Sequence, residues 1–169
     1  MLKFILIILD GFGLRKEKNG NAIANAFTPN LDQMFENCPV SSIETSGLSV
    51  GLPDGIMGNS EVGHMNIGAG RIIKQDLVRI NDSIHYNKLR NNNTLIDLFN
   101  YVKNKNSVLH MVGLVSDGGV HSHIEHFKYI INAARDYGVE KICIHAITDG
   151  RDTSPTSSIK YLNKVESYI

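Results

Sequence analysis

The 169-residue sequence is poor in cysteine, has no net charge and contains no long apolar run. Its two cysteines, Cys38 and Cys143, lie far apart with no paired spacing. That spacing argues against a disulfide framework or a cysteine metal site, and both thiols read as small buried hydrophobes of a reducing compartment. Lysine plus arginine balance aspartate plus glutamate at 17 each, so no net field points to nucleic acid or an anionic membrane. The apolar stretch Phe4 to Leu9 stops at Asp10. It is too short for the core of a signal peptide and shorter still than a membrane span, so a cytoplasmic protein is expected. Internal repeats and low-complexity tracts are absent as well.

What is there suits an α/β fold. A hydrophobic content of 42% is enough for a real core. Lys3 to Leu9 (KFILIIL) is continuous, isoleucine-rich and apolar, which predicts a strand buried on both faces of a parallel sheet. Asn19 to Phe27 is ambiguous. Thr28-Pro29 opens a helix whose Leu31, Met34 and Phe35 read as core. Val40 to Thr45 reads as a second strand, and Gly47 to Gly58 as a punctuated loop. Apolar spacing predicts helices over Gln75 to Tyr86 and Thr94 to Lys103. Strands are predicted over Ser107 to Val115 and Glu140 to Thr148, with a helix from Ser122 to Tyr137 between them, closed by Gly138. Ser154-Pro155 then opens a last helix that runs to the end. Strand, helix, strand at this spacing implies a parallel crossover.

Three chemically loaded loops follow predicted strands, where ligands of open α/β sheets bind. Asp10-Gly11-Phe12-Gly13 ends the first, Ser116 to His123 the second, and Asp149-Gly150-Arg151-Asp152-Thr153 the third. Asp10 is placed for a metal-binding carboxylate, although an aspartate opening an ordinary turn is the simpler reading. Arg151 offers a two-pronged fork for phosphate or carboxylate, and Asp152 beside it suits proton transfer to a substrate hydroxyl. Composition alone leaves a surface ion pair about as plausible. His110 and His145, inside apolar strands, read as satisfied core histidines.

The stretch GNSEVGHMNIGAGR, from Gly58 to Arg71, places one serine among glycines at the start of a short helical run. Unpaired N–H groups and the dipole at a helix N-terminus favour a phosphoryl group there. A serine hydroxyl is a weak nucleophile and needs a base or metal to activate it. On spacing alone Ser60 is a structural cap. His64 shares its helical face but need not reach the hydroxyl, and reads as structural.

This segment resembles the nucleophile segment of the cofactor-independent (2,3-bisphosphoglycerate-independent) phosphoglycerate mutases, metal-dependent members of the alkaline phosphatase superfamily. SDGGVHSH and DGRDT resemble two further segments of that family, in the same order. The resemblance implies that Ser60 is metal-bound and becomes phosphoserine, with Asp10 on the same ion. It implies that His121, Arg151 and Asp152 contact the phosphorylated substrate, with Asp152 also catalytic, while His123 and His126 are helix-start and surface residues. It further implies two divalent metal ions of the manganese kind, no 2,3-bisphosphoglycerate, and interconversion of 3-phosphoglycerate and 2-phosphoglycerate by an isomerase that is a monomer when complete. Residues 1–75 are expected to be the first piece of a metal-binding phosphatase-like domain. Residues 76–169 are expected to open an inserted α/β substrate-binding domain.

Family members are several-fold longer, so the chain is expected to be an N-terminal fragment, inactive and poorly stable alone. Two other readings stay open. One is a metal-dependent phosphohydrolase of the same superfamily, using Ser60 and Asp10 but releasing phosphate to water. The other is a phosphoglycerate-binding fragment without chemistry.

Overall fold

The computed structural model describes residues 3–169. Its organised part is the C-terminal half. Strand β1 (Leu109–Val115) and strand β2 (Ile142–Thr148) pair in parallel, with Leu109 opposite Ile142 and Val115 opposite Thr148. Alternation along the strands sends Leu109, Met111, Gly113 and Val115 to one face. That face is covered by three helices: α5 (Asn93–Asn104), α6 (Ile124–Asp136) and α7 (Ser158–Glu166). Phe99 and Val102 of α5 meet Leu109, Ala133, Ala134 and Val139 in one cluster. Val115, Ile124, Phe127, Tyr161 and Val165 make the second.

The helix ends follow local chemistry. Asn92 caps α5 by accepting from the Leu95 N–H. Tyr137 is the C-cap of α6, and Gly138 follows at φ +82°, a left-handed position that suits glycine after a helix. Its last turn is closed by the Val139 N–H, which donates to the Ala134 carbonyl at 3.0 Å.

The first half is more open. Helix α1 (Ala22–Asn25) settles the ambiguous stretch, and α2 (Pro29–Asn37) begins at Thr28-Pro29 as expected. A short 3-10 turn (Gly47–Val50) leads to α3 (Ser60–Ala69), and α4 (Asp76–His85) comes next. Asn66 fastens α3 to its surroundings: its amide donates to Val50 O at 3.0 Å, and its side-chain oxygen accepts from the Ile73 N–H at 2.8 Å.

Several elements differ from those expected of the sequence. Lys3 to Leu9 is not a buried strand: it forms no ladder, and Phe4 is 87% exposed. Val40 to Thr45 is likewise irregular and exposed. A strand buried on both faces needs neighbours on both edges, and the only strands among the described residues, β1 and β2, pair with each other. Of the parallel sheets expected, one is therefore formed. Without a first sheet to pack on, Met34 and Phe35 are exposed and Leu31 is half-buried. The last helix starts at Ser158, after a turn at Ser154-Pro155, and stops at Glu166 before the chain end. Cys38 is exposed and Cys143 half-buried, and His110 and His145 are exposed on the sheet face away from the helices.

Candidate active site

Two groups of side chains gather the residues singled out in the sequence. The first joins positions fifty residues apart. Ser60 Oγ donates to Asp10 Oδ2 at 2.5 Å, and both residues are exposed. Asn59, not Ser60, caps α3: its side-chain oxygen accepts from the Val62 N–H at 3.1 Å. Ser60 is thus the first helical residue, with its hydroxyl at the end of the helix where unpaired N–H groups lie. His64 comes closer than its position in the sequence required. Its Nδ1 lies 3.2 Å from Ser60 Oγ but 2.8 Å from Ser60 O. A carbonyl only accepts, so the shorter contact makes Nδ1 a donor. A nitrogen already carrying that proton is no base for the hydroxyl, and His64 remains a structural residue.

The second group lies beyond the carboxyl ends of β1 and β2. His121 Nδ1 donates to Asp152 Oδ2 at 2.6 Å, joining the two loops. The Asp152 side chain is largely buried, while that of His121 is more than half exposed. Arg151 is exposed beside them. The loops touch at Gly118, where an added Cβ would lie 2.8 Å from the Cβ of Asp152; glycine keeps that approach open.

Sequence reasoning passed over the residues that hold these loops. Ser116 and Asp149, the first residues after the strands, are both buried. Ser116 Oγ donates to Asp149 Oδ2 at 2.7 Å, and Asp149 Oδ1 accepts from the N–H groups of Arg151 and Asp152 at 3.0 Å each. The Ser116 hydroxyl, then those two N–H groups, hold the Asp149 carboxyl below its usual range. Asp117 is lowered too, chiefly by the Tyr161 hydroxyl of α7, which donates to it. An aspartate directly after a strand and two residues before Arg151 was the available signal, since an Asx turn needs that spacing. His123 caps α6 by accepting from the Glu125 N–H, as a helix-start residue should. His126 is half-buried rather than on the surface, bonded to Asn81 at 2.7 Å.

The two groups share no hydrogen bond among the described residues. Asp10 and Ser60 offer two oxygen ligands to a hard cation, fewer than a closed site needs. The donor type fits such an ion, and the set is incomplete.

The family model described as BPG-independent PGAM N-terminus matches residues 80–169, more than half of the chain. The chain belongs to this family. It is 48% identical over 167 residues to a 2,3-bisphosphoglycerate-independent phosphoglycerate mutase of Flavobacterium johnsoniae, covering 99% of this chain and 33% of that protein. A similarly named protein of Clostridioides difficile is 56% identical over 162 residues, covering 96% and 31%. Among solved structures, a Leishmania mexicana phosphoglycerate mutase, studied at low cobalt concentration, matches with a TM-score of 0.67 and 35% identity, over 86% of this chain and 27% of that one. This N-terminal family member spans about a third of the length of the curated relatives it matches.

Proposed function

We propose that the chain supplies the nucleophile and part of the glycerate site of a 2,3-bisphosphoglycerate-independent phosphoglycerate mutase. In a protein of its relatives' length, that isomerase would interconvert 3-phosphoglycerate and 2-phosphoglycerate. Residues 1–75 belong to a phosphatase-like domain, and residues 76–169 to a substrate-binding domain. The contact between Ser60 Oγ and Asp10 Oδ2 across fifty residues carries this reading. It gives the alcohol of the GNSEVGH segment an anionic acceptor for its proton.

Asp10 and Ser60 would hold a divalent ion, of the manganese kind by their hard oxygen donors, as one of two in the complete site. Such an ion, when bound, lowers the pKa of an attached hydroxyl and offsets phosphoryl charge. The remaining work falls to the chain itself. Ser60 at the N-terminus of α3 presents its hydroxyl where N–H groups favour the phosphoryl oxygens. The exposed Arg151 fork takes substrate phosphate or carboxylate. His121, its Nδ1–H held by Asp152, presents its other ring nitrogen as an acceptor for a substrate hydroxyl, and Asp152 accepts a proton from the glycerate hydroxyl and returns it. Asp149 holds the two N–H groups of that loop and so fixes where Arg151 and Asp152 sit.

In the full-length protein, Ser60→Ala should reduce formation of 2-phosphoglycerate from 3-phosphoglycerate to background while leaving the fold intact by circular dichroism. Mass spectrometry of the unsubstituted protein after turnover should find phosphate on the peptide bearing Ser60. Full turnover by the Ser60→Ala protein would end the proposal. Inorganic phosphate as the product would replace it with a phosphohydrolase.

A further inference from the structure

The uncovered face of the sheet holds a cluster that the proposed phosphoryl chemistry does not use. Alternation sends His110 of β1 and Cys143 and His145 of β2 to that face, and the parallel register sets His110 opposite Cys143. His110 Nδ1 lies 2.9 Å from His145 Nε2, and Cys143 Sγ lies 3.9 Å from the same nitrogen. All three potential ligand atoms fall within 4.8 Å of one another, and no other group of three such residues occurs among the described residues. His145 is the fourth residue of its strand, and His110 and Cys143 are each the second. Even His145, four residues before Asp149, is roughly 13 Å of extended chain from the loop that ends its strand.

We propose that His110, Cys143 and His145 form a binding site for a borderline-soft divalent cation such as zinc or cobalt. Two imidazoles and a thiolate are the donors such ions prefer, in contrast to the oxygens of Asp10 and Ser60. Bond lengths of about 2.0–2.1 Å to nitrogen and 2.3 Å to sulfur make the edges of a tetrahedral site about 3.3 Å for two nitrogens and 3.6 Å for nitrogen and sulfur. The observed nitrogen pair is a few tenths of an ångström too close, and the sulfur about as much too far from His145. Both are within the reach of side-chain rotation. His110 and His145 are exposed, so the ion can enter from solvent and keep the fourth position for water. Binding displaces the thiol proton of Cys143 and any proton shared between the two rings. Spacing in the sequence argued against a cysteine metal site because the ligands come from two strands. Strand pairing brings together what the chain separates by more than thirty residues.

The test is titration of the chelator-treated 169-residue chain with cobalt(II), read by absorption. One equivalent should produce ligand-field bands of tetrahedral intensity in the visible and a thiolate-to-cobalt charge-transfer band in the near ultraviolet. Cys143→Ser should abolish the charge-transfer band, and Cys38→Ser, which removes the other thiol, should leave it unchanged. His110→Ala and His145→Ala should each weaken binding by at least the roughly tenfold that loss of an outer partner costs. Circular dichroism of each variant separates ligand loss from unfolding. No stoichiometric band in the unsubstituted chain, or a band that survives Cys143→Ser in a folded protein, would overturn the proposal. Because Asp10 and Ser60 carry no sulfur, an ion bound there gives no charge-transfer band, and the outcome is independent of the mutase reading.

Discussion

Ser116→Ala tests whether the loop bearing Arg151 and Asp152 is held as described. Ser116 is 1% exposed, and its hydroxyl donates to the ionised Asp149 at 2.7 Å. It also accepts from the Gly118 N–H at 3.3 Å, a long contact that adds little. A hydrogen bond to a charged group contributes about 1.5–3 kcal/mol, so the variant should lose about that much in urea unfolding at neutral pH. The sign with pH follows from the depressed pKa of Asp149. A carboxyl whose folded pKa lies below its unfolded value of about 3.9 contributes stability above that pH and loses it as pH falls through the folded pKa. Removing the Ser116 hydroxyl, the largest cause of that depression, should move the Asp149 titration up toward the ordinary range. Carbon-13 NMR of the Asp149 carboxyl, with unfolding followed by circular dichroism, measures both effects. A loss under roughly 0.5 kcal/mol, of the order of an ordinary surface change, together with an unmoved titration would refute the reasoning.

Other perturbations separate the packed half from the open one. Phe99→Ala, at 1% exposure, should cost about 3–5 kcal/mol in chemical denaturation, whereas Phe4→Ala, at 87%, should stay within about 0.5 kcal/mol. Burial, then the nearby His123, lowers the pKa of His126. Stability should therefore decline as pH falls from about 6.5 toward the folded value, and the decline should flatten in His126→Gln, as read from unfolding midpoints across that range.

The strand–helix–strand unit was legible because its signals are local. Alternating and continuous apolar runs, Gly138 after α6 and the polar loops after each strand all lie within a few residues of what they specify. The same kind of signal misled for Lys3 to Leu9, whose composition is that of a buried strand. Burial there depends on partners that the run itself cannot encode. Ser116 and Asp149 were missed for a similar reason. Each looks like an ordinary loop residue, and only their meeting across 33 positions makes a buried anchor.

By itself the sequence determined the family's motifs, their order, and which side chains stand at positions 10, 60, 121, 151 and 152. Tertiary structure alone decided that the carboxylate at 10 meets the hydroxyl at 60, that the imidazole at 64 spends its proton on a carbonyl, and that two histidines and a thiol share an open sheet face. Side-chain identity is written one residue at a time. Proximity between distant positions arises only when backbone pairing and packing fold the chain onto itself.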